Sequence, residues 1–368
     1  MGFKDFKVEV NKTNILHNYQ YLKELRKKEI IAVVKANAYG HGIENIVSLL
    51  SENGCRYFAV ARECEAEKIL SLNLKNIDIL ILETIEDLNF LKQHKNVEMV
   101  VSSFKDLIFL LNNNVFTEQL HLKLDFGFGR NGVVEDDFLK LKKLILEKNL
   151  KFKGICTHVF AADYEDMLVV ESKFNKMLSE LGKERFEIIH MQNSAGVISI
   201  EGDGCTHIRC GTILFGLQEI GYYDPNIKRA FKLIGKILGV KDLNDLKYIG
   251  YEKKEKIVLN EHKKIAKIRL GYGDGFSKRG EGIMSIINNK KFEIVHISMD
   301  SSFILVDESV KEEDFIEIFY DLEDSIKYLK VPHYEFLSCI NDRIKRELTW
   351  LRTKIKFYFK KILTFFFK

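Results

Sequence analysis

Basic side chains stand at or near the ends of several predicted β-strands, where they could react with a carbonyl or bind an anion. Lys35 closes the apolar run AVVK. A lysine there either points to water at the strand mouth or is chemically used, because an isolated ammonium group is costly to bury. Its obvious use is as a Schiff-base amine. Lys123 lies inside a later strand, Arg130 in the turn after it, and His158 and Arg209 close further strands.

Small and hydroxyl-bearing residues follow two of the last predicted strands. Asn193 and Ser194 come after EIIHMQ, and Gly211 and Thr212 come after THIR and Cys210. Barrels often bind phosphate at the loops after their seventh and eighth strands, where hydroxyl groups and the amides of the next helix face the anion. Together with the basic residues, this pattern indicates a site for a phosphate-bearing cofactor.

Eight short β-branched runs alternate with segments of helical period between residues 29 and 210. The runs are EIIAVVK, YFAVA, DILIL, VEMVV, HLKLDF, FKGICTH, EIIHMQ and THIR. Acidic residues near the starts of the intervening segments are typical of helices, because they complement the helix dipole. Eight strand–helix units predict an α/β fold with an N-terminal (β/α)8 TIM-type barrel, which carries its chemistry at the carboxyl ends of its strands. The strand FKVEV and a helix opened by Thr13 precede this barrel.

The helical pattern stops after about residue 220. Four longer stretches then read as strands separated by Gly, Asn and Asp turns, and they predict a mostly β C-terminal domain. The stretches are FKLIGKILGVKDL, KKIAKIRLGYGDG, IMSIINNKKFEIVHISMDSSFILVD and DFIEIFY. We expect the barrel domain over residues 1–222 and the β domain over residues 223–347.

Residues 348–368 form a basic amphipathic tail, with six Lys or Arg and no acidic residue. The segment could be a helix packed on the protein or on a partner subunit, a contact with a membrane surface, or a disordered end. Without these six cations, 51 basic residues face 53 acidic ones, so residues 1–347 carry a net charge of −2.

Composition excludes several classes of protein. Hydrophobic residues make up 46% and charged residues 30% of the 368-residue chain, as in globular domains, and 57 Lys and Arg against 53 Asp and Glu give no excess for binding nucleic acid. The six cysteines form no CxxC pair, the first residues lack the apolar run of a signal peptide, and no long apolar stretch predicts a membrane span. We expect a cytoplasmic location, reduced thiols and no metal site.

The motifs around these residues resemble those of the bacterial alanine racemases, pyridoxal-phosphate (PLP) enzymes with a barrel followed by a β domain. AVVKANAYGHG is similar to the family's PLP-lysine segment, and the resemblance runs from about residue 5 to residue 346. The segments that follow in family order are HLKLDFGFGRNGV, GICTHVFAAD, QNSAG, IRCGTILFG, LGYGDGF, ISMDSS and VPHYEFLSCINDR. The resemblance implies a homodimer with shared active sites that acts on alanine and supplies D-alanine for peptidoglycan.

The resemblance also implies roles for the residues that bind the cofactor. Lys35 would hold PLP covalently, and His158 would pack on its pyridine ring. An arginine is always charged, so Arg209 against the pyridine nitrogen would disfavour its protonation and thereby favour racemisation over transamination. Tyr39 would support the phosphate. The full set of expected cofactor-binding residues is Lys35, Tyr39, His158, Asn193, Ser194, Arg209, Gly211 and Thr212.

Racemisation needs a base on each face of the reacting carbon. By resemblance, Lys35 would serve one face and Tyr251, from the partner subunit, the other. The phenol of Tyr251 would need neighbouring cations, because an ordinary tyrosine titrates at about 10. Lys123 occupies a position that is carbamylated in many family members. The residues expected to contact the substrate are Arg130, Met299, Tyr272 and Tyr334.

Two positions depart from the family pattern: Cys210 stands where proline is usual, and Glu252 follows Tyr251 where glycine is usual. Three alternatives to an alanine racemase remain. The first is a racemase acting on serine or on a broader set of amino acids. The second is a non-catalytic PLP-binding protein, against which the predicted β domain argues because such proteins are single barrels. The third is a basic amino-acid decarboxylase, whose glycine-rich phosphate loop and paired C-terminal cysteine motif are missing.

Overall fold

The computed structural model describes residues 6–159, 164–218, 221–246, 248–250, 264–319, 328–330 and 332–350. Within these ranges the chain divides into two units, neither of which is continuous in sequence. One unit comprises residues 17–229 and 330–341, and the other comprises residues 1–16, 230–329 and 342–368. The contiguous domains expected over residues 1–222 and 223–347 stay a prediction.

Strands and helices follow one another along the described residues. The strands are β1 (Lys7–Asn11), β2 (Glu29–Val33), β3 (Tyr57–Val60), β4 (Asp78–Ile81), β5 (Val97–Val101), β6 (Leu120–Asp125), β7 (Val133–Val134), β8 (Phe152–Cys156), β9 (Phe186–His190), β10 (His207–Cys210), β11 (Phe231–Asp242), β12 (Lys264–Ile268), β13 (Met284–Ile287), β14 (Lys290–Ile297), β15 (Ser302–Val306), β16 (Phe315–Ile318) and β17 (Lys345–Thr349). The helices are α1 (Lys12–Arg26), α2 (Lys35–Tyr39), α3 (Ile43–Glu52), α4 (Glu63–Leu70), α5 (Leu88–Gln93), α6 (Phe104–Asn112), α7 (Phe138–Glu147), α8 (Tyr164–Leu181), α9 (Ser194–Ser199) and α10 (His333–Cys339).

Eight parallel strands form the barrel of the first unit, in the order β10-β2-β3-β4-β5-β6-β8-β9. Each lies within or overlaps one of the eight predicted runs, so the barrel prediction is confirmed. Bonds from Thr206 N to Ile189 O (2.9 Å) and from Arg209 N to Gln192 O (3.2 Å) link the region of β9 to that of β10. All six residues of β6 are buried, as expected for a strand with packing on both faces.

The second unit is built on an eight-stranded sheet with the order β12-β15-β14-β13-β16-β11-β1-β17. This sheet confirms the predicted mostly β region. Its strand β1 comes from the N-terminus, where Val10 pairs with Phe231 of β11, antiparallel, and with Leu348 of β17, parallel. The strand that precedes the barrel in sequence therefore belongs to the sheet, and the first two residues of the predicted tail belong to β17.

Helix α10 is the opposite case to β1. It follows most of the β region in sequence, but it belongs to the barrel unit and packs there against α2. A Cβ atom built on Gly40 would lie 2.0 Å from the carbonyl oxygen of Leu337 in α10. This close approach brings Tyr334 of α10 beside the carboxyl end of β2. Among the helices of the described residues, none is both long and apolar enough to cross a membrane.

Candidate active site

A cavity of about 580 Å³ opens at the carboxyl ends of the barrel strands. Most of the residues predicted from the sequence to act on a cofactor or substrate line it together. They are Lys35, Tyr39, Lys123, Arg130, His158, Asn193, Ser194, Arg209, Gly211, Thr212 and Tyr334. Four of them are Lys or Arg, and Glu83 is the acidic residue among the described lining. The cavity therefore favours an anionic ligand.

Lys35 stands two residues after Val33, the last residue of β2, at the start of a left-handed turn. The four residues from Ala36 to Tyr39 all have φ between 51° and 55°. Each non-glycine residue in this conformation costs about 1–2 kcal/mol, because its Cβ crowds the next carbonyl. Strain of this kind persists where surrounding contacts impose it, and it is concentrated at functional sites. The turn aims Lys35 and Tyr39 at the same cavity.

Side chains on both sides of the turn hold it in this conformation. Glu65 Oε1 accepts a hydrogen bond from Ala36 N (2.6 Å), and Asn37 Oδ1 accepts one from Ile43 N (2.8 Å). The ring of His41 stacks on Phe215 with their centroids 4.1 Å apart. These contacts tie the turn to the starts of α3 and α4 and to the loop after β10, so they offset the cost of the left-handed backbone.

The half-buried amine of Lys35 has a pKa below its usual value. Burial is the main cause, and the nearby positive charge of Arg130 adds to it, whereas Glu83 acts in the opposite direction. A lowered pKa enlarges the fraction of free amine near neutral pH, and the free amine is the nucleophilic and proton-accepting form.

A group of hydroxyls and a glycine form one wall of the cavity. Thr212 Oγ1 lies 3.1 Å from Ser194 Oγ, and a Cβ atom on Gly211 would lie 2.6 Å from the Tyr39 hydroxyl. Asn193 caps α9 by accepting from Gly196 N (2.9 Å), and its amide donates to a main-chain oxygen, so its side chain orients Ser194. Three hydroxyls around a glycine make a cradle suited to a phosphate group.

Arg209 is buried at the floor of the cavity, and its donors are held by fixed acceptors. Its Nη2 donates to the carbonyl oxygens of Thr157 (2.8 Å) and Met191 (2.8 Å). Its Nη1 lies 2.7 Å from His190 Nδ1. Because a guanidinium group has donors only, this geometry presents a fixed positive charge to the cavity.

The surroundings of His158 favour its neutral form. Burial, followed by the charges of Arg209 and Arg130, lowers its pKa to about 2. Phe128 packs edge-on against the His158 ring at a centroid distance of 5.0 Å, and the Arg130 guanidinium lies 4.8 Å from the Phe128 ring centroid. A neutral imidazole so held offers a flat surface to a ring in the cavity.

Lys123 is buried, and burial lowers the pKa of its amine to about 8. Its ammonium group donates to Asn131 Oδ1, while the amide of Asn131 donates to Leu82 O (3.3 Å). The amine is thus held near the charge of Arg130, with a pKa close to the physiological range.

The remaining predicted residues do not line this cavity. Met299 and Tyr272 lie in the other structural unit, where Met299 is 54% and Tyr272 45% exposed. Tyr251 and the neighbouring Glu252 lie outside the described residues. No group of metal-binding side chains is formed by the part of the chain that the structure describes.

Sequence reasoning missed His190, Asn131 and Glu83. His190 lies within the run EIIHMQ, and Glu83 directly follows the run DILIL. His190 and Glu83 could have been found from their positions at strand ends, because the functional side chains of a barrel lie at the carboxyl ends of its strands. Nothing local marks Asn131 as the partner of Lys123, eight residues earlier.

Comparison with known proteins adds an independent finding. The family model for the alanine racemase N-terminal domain matches residues 10–219, and that for the alanine racemase C-terminal domain matches residues 230–348. Among curated proteins, an alanine racemase from Fusobacterium nucleatum is 30% identical, covering 92% of this chain and 98% of that protein. One from Staphylococcus epidermidis is also 30% identical, covering 92% and 93%.

Solved structures share the fold. An alanine racemase from Bacillus anthracis with bound L-Ala-P is 25% identical and superposes with a TM-score of 0.82, over 96% of this chain and 97% of that one. An alanine racemase from Bartonella henselae with covalently bound pyridoxal phosphate has the same TM-score at 23% identity, over 94% and 99%.

Proposed function

The chain belongs to the alanine racemase family, and on that premise we propose which of its residues interconvert L- and D-alanine with PLP. The family's activity is this isomerisation, and its role is to supply D-alanine for peptidoglycan. One observation carries the assignment of residues: Lys35, Arg209 and the hydroxyl cradle face a single cavity.

The cavity fits PLP by the chemistry of its donors. Ser194, Thr212 and Tyr39 surround Gly211, where even a Cβ atom would crowd the Tyr39 hydroxyl, so the cradle has room for phosphate oxygens only because residue 211 lacks a side chain. Lys35 offers an amine for covalent attachment. PLP, when bound, supplies the electron sink that makes the α-proton of an amino acid removable.

Lys35 is proposed to move the α-proton on one face of the substrate. Its pKa is lowered by burial and by Arg130, so the free amine that accepts a proton is available near neutral pH. Its rigid left-handed turn fixes the direction from which it approaches. A base on one face alone exchanges the proton without inverting the carbon, so a second base is required.

Tyr251 of a second copy of the chain is proposed as that second base. The family resemblance of its sequence segment supports this role, and the tyrosines among the described lining residues are Tyr39, which belongs to the hydroxyl cradle, and Tyr334. The proposal implies a homodimer in which each subunit contributes to both sites.

Arg209 is proposed to decide the type of reaction. It places a permanent positive charge at the cavity floor, and a cation there disfavours protonation of a facing ring nitrogen. A PLP ring bound there would then be a weaker electron sink. This favours racemisation over transamination.

The residues proposed to contact the substrate are those that the family resemblance indicates. Arg130 carries an exposed cation at the cavity rim and is proposed to reach the substrate carboxylate. Tyr334 lines the cavity from α10. By the family resemblance alone, the main-chain amide of Met299 is proposed to bind the substrate carboxylate, and Tyr272 is proposed to narrow the substrate entrance.

A cytoplasmic location is proposed from the cysteines, because all six are free thiols and reduced thiols persist in the cytoplasm. Cell fractionation followed by immunoblotting tests this directly.

The proposed activity is tested by incubating the purified, PLP-loaded protein with separate L-amino acids and measuring the D-enantiomers by chiral chromatography. We expect D-alanine as the main product. Turnover of serine or of many amino acids in preference to alanine would instead indicate the broader racemase. PLP binding without turnover of any amino acid would indicate a non-catalytic PLP-binding protein.

A further inference from the structure

A chain of hydrogen-bonded side chains leads from the cavity floor into the barrel interior. Arg209 Nη1 lies 2.7 Å from His190 Nδ1, His190 Nε2 lies 2.9 Å from His121 Nδ1, and His121 Nε2 lies 2.8 Å from Glu98 Oε2. All four side chains are buried, and both imidazoles are fully so. We call this chain the histidine relay. The mechanism proposed above uses only its first member.

The relay has a single direction, which Arg209 sets. A guanidinium group only donates, so His190 Nδ1 accepts and its proton is on Nε2. That nitrogen donates to His121 Nδ1, and His121 Nε2 in turn donates to the Glu98 carboxylate. A cationic His121 would force His190 to carry its proton on Nδ1, placing two donors face to face at 2.7 Å. Burial, and then the charge of Arg209, lower the pKa of His190 well below its ordinary value, in agreement with a neutral ring.

Arg209 needs a counter-charge that its direct contacts do not provide. Within the described residues, its hydrogen-bond acceptors are His190 Nδ1 and the carbonyl oxygens of Thr157, His190 and Met191, none of which is a carboxylate. A buried cation without a charged partner is costly. We propose that Glu98 is a positioning residue for Arg209, its carboxylate supplying the counter-charge through the two imidazoles of the histidine relay.

The backbone around the relay supports this assignment. A Cβ atom on Gly154 would lie 2.2 Å from His121 Nδ1, so the imidazole fits only because β8 has a glycine in its middle. Glycine inside a strand weakens it and marks a close approach of another group. At the far end of the relay, Lys153 Nζ lies 3.6 Å from Glu98 Oε1, and the Tyr57 hydroxyl lies 3.1 Å from His121 Nε2.

The proposal rests on the proposed function only in that Arg209 faces the cofactor, and it can be tested without any turnover of alanine. The PLP-loaded protein is labelled with 15N in histidine and arginine, and the ring and guanidinium resonances are compared with those of Glu98→Gln. Glutamine keeps an acceptor for His121 but removes the charge. Glu187→Gln is the matched control, because Glu187 also pairs with Lys153 (3.0 Å) but lies outside the relay.

We expect wild-type His190 and His121 to be neutral and protonated at Nε2. Glu98→Gln should shift the resonances of His121, His190 and the Arg209 guanidinium group, and Glu187→Gln should shift none of the three. In Glu98→Ala, which removes the carboxylate and leaves the Tyr57 hydroxyl as the described polar atom beside His121 Nε2, the Kd for PLP should rise about tenfold. Gly154→Ala, which displaces His121 without removing a charge, should shift His190 as well.

Two results would overturn the proposal. One is a wild-type His190 protonated at Nδ1 or carrying a positive charge. The other is a Glu98→Gln protein in which only His121 shifts, while His190, Arg209 and PLP affinity are unchanged, since Glu98 would then serve the local packing alone. Absence of racemase activity in the wild type would contradict the proposed function, but the NMR resonances and the Kd for PLP would still test the role of Glu98.

Discussion

Lys123 carries a buried amine whose pKa lies close to physiological pH. Burial comes first among the causes that lower its pKa to about 8, and Arg130 and Arg209 act in the same direction. The free amine therefore predominates above that pH and the ammonium form below it. Only the free amine can attack CO2, forming an N–C bond and releasing a proton, and the resulting carbamate anion would lie beside Arg130.

We therefore predict that Lys123 carbamylation increases as the pH rises through about 8. Equilibration with 13C-bicarbonate and 13C NMR would detect the carbamate carbon. Lys153, whose pKa is raised by Glu187 and Glu98 despite its partial burial, serves as the control lysine and should stay unmodified. A carbamate signal that survives Lys123→Met, or none at all well above this pH, would contradict the prediction.

Single residues were predictable where a strand end exposes them. Lys35, His158 and Arg209 follow from the pattern of runs alone, because a barrel presents its chemistry at those ends. The hydrogen-bond partners of such residues were not predictable from the sequence. The contact of Lys123 with Asn131, for example, depends on the path of the loop between them. The histidine relay had a partial signal, because His121 and Lys123 lie two residues apart and hence on one face of β6.

Among the elements, α2 departs furthest from what its sequence indicates. KANAY contains good helix formers, yet Ala36 to Tyr39 are left-handed. No local propensity predicts this, because the conformation is imposed by Glu65, by Asn37 and by the close approach of α10 at Gly40. The strands, in contrast, were predictable because their buried β-branched runs are bounded by turn residues.

We predict that Gly40→Ala destabilises the protein by more than about 3 kcal/mol, because it adds the cost of a positive φ, about 1–2 kcal/mol, to a clash with Leu337. Gly54→Ala is the matched control: Gly54 has a φ of 93°, against 83° at Gly40, but no atom lies within 4 Å of its Cβ position. It should cost about 1–2 kcal/mol. Urea unfolding followed by circular dichroism measures both, and equal losses would show that α10 does not constrain the turn.

At the scale of the whole molecule, the order of the segments along the sequence did not predict which segments belong to which of the two units. The prediction of a barrel followed by a β region holds, yet β1 pairs within the sheet of the second unit and α10 belongs to the barrel unit. Both assignments depend on contacts between segments that are distant in sequence, and no local pattern specifies such contacts. The pairing of Val8 with Arg346 is an example.

The proposed sharing of sites between subunits predicts complementation. Lys35→Ala and Tyr251→Phe should each be nearly inactive, but mixing them under conditions of subunit exchange should restore roughly a quarter of wild-type activity. Half of the dimers are then mixed, and each mixed dimer has one intact site. Mixing Lys35→Ala with Lys35→Arg is the control and should restore none. No recovery in the first mixture, with exchange verified by mass spectrometry, would exclude a shared site.

The basic tail over residues 348–368 gives a further test at this scale. Its residues 351–368 lie outside the described part of the chain, and its alternatives remain packing, membrane contact and disorder. If the six cations bind an anionic surface, truncation before Trp350 should abolish binding to vesicles that contain phosphatidylglycerol, and added salt should weaken it. Unchanged vesicle binding after truncation would exclude membrane contact by the tail, and a packed helix or a disordered end would remain as the alternatives.

The covalent attachment of the cofactor to Lys35 is the measurement that bears most directly on the account. PLP-loaded protein is reduced with borohydride and digested, and the labelled peptide is sequenced by mass spectrometry, with Lys28→Ala as a control because burial lowers the pKa of Lys28 too. We predict that the label lies on Lys35 in the wild type and in Lys28→Ala, and that Lys35→Ala has none. A label on another lysine, retained in Lys35→Ala, would contradict the assignment of this cavity as the active site.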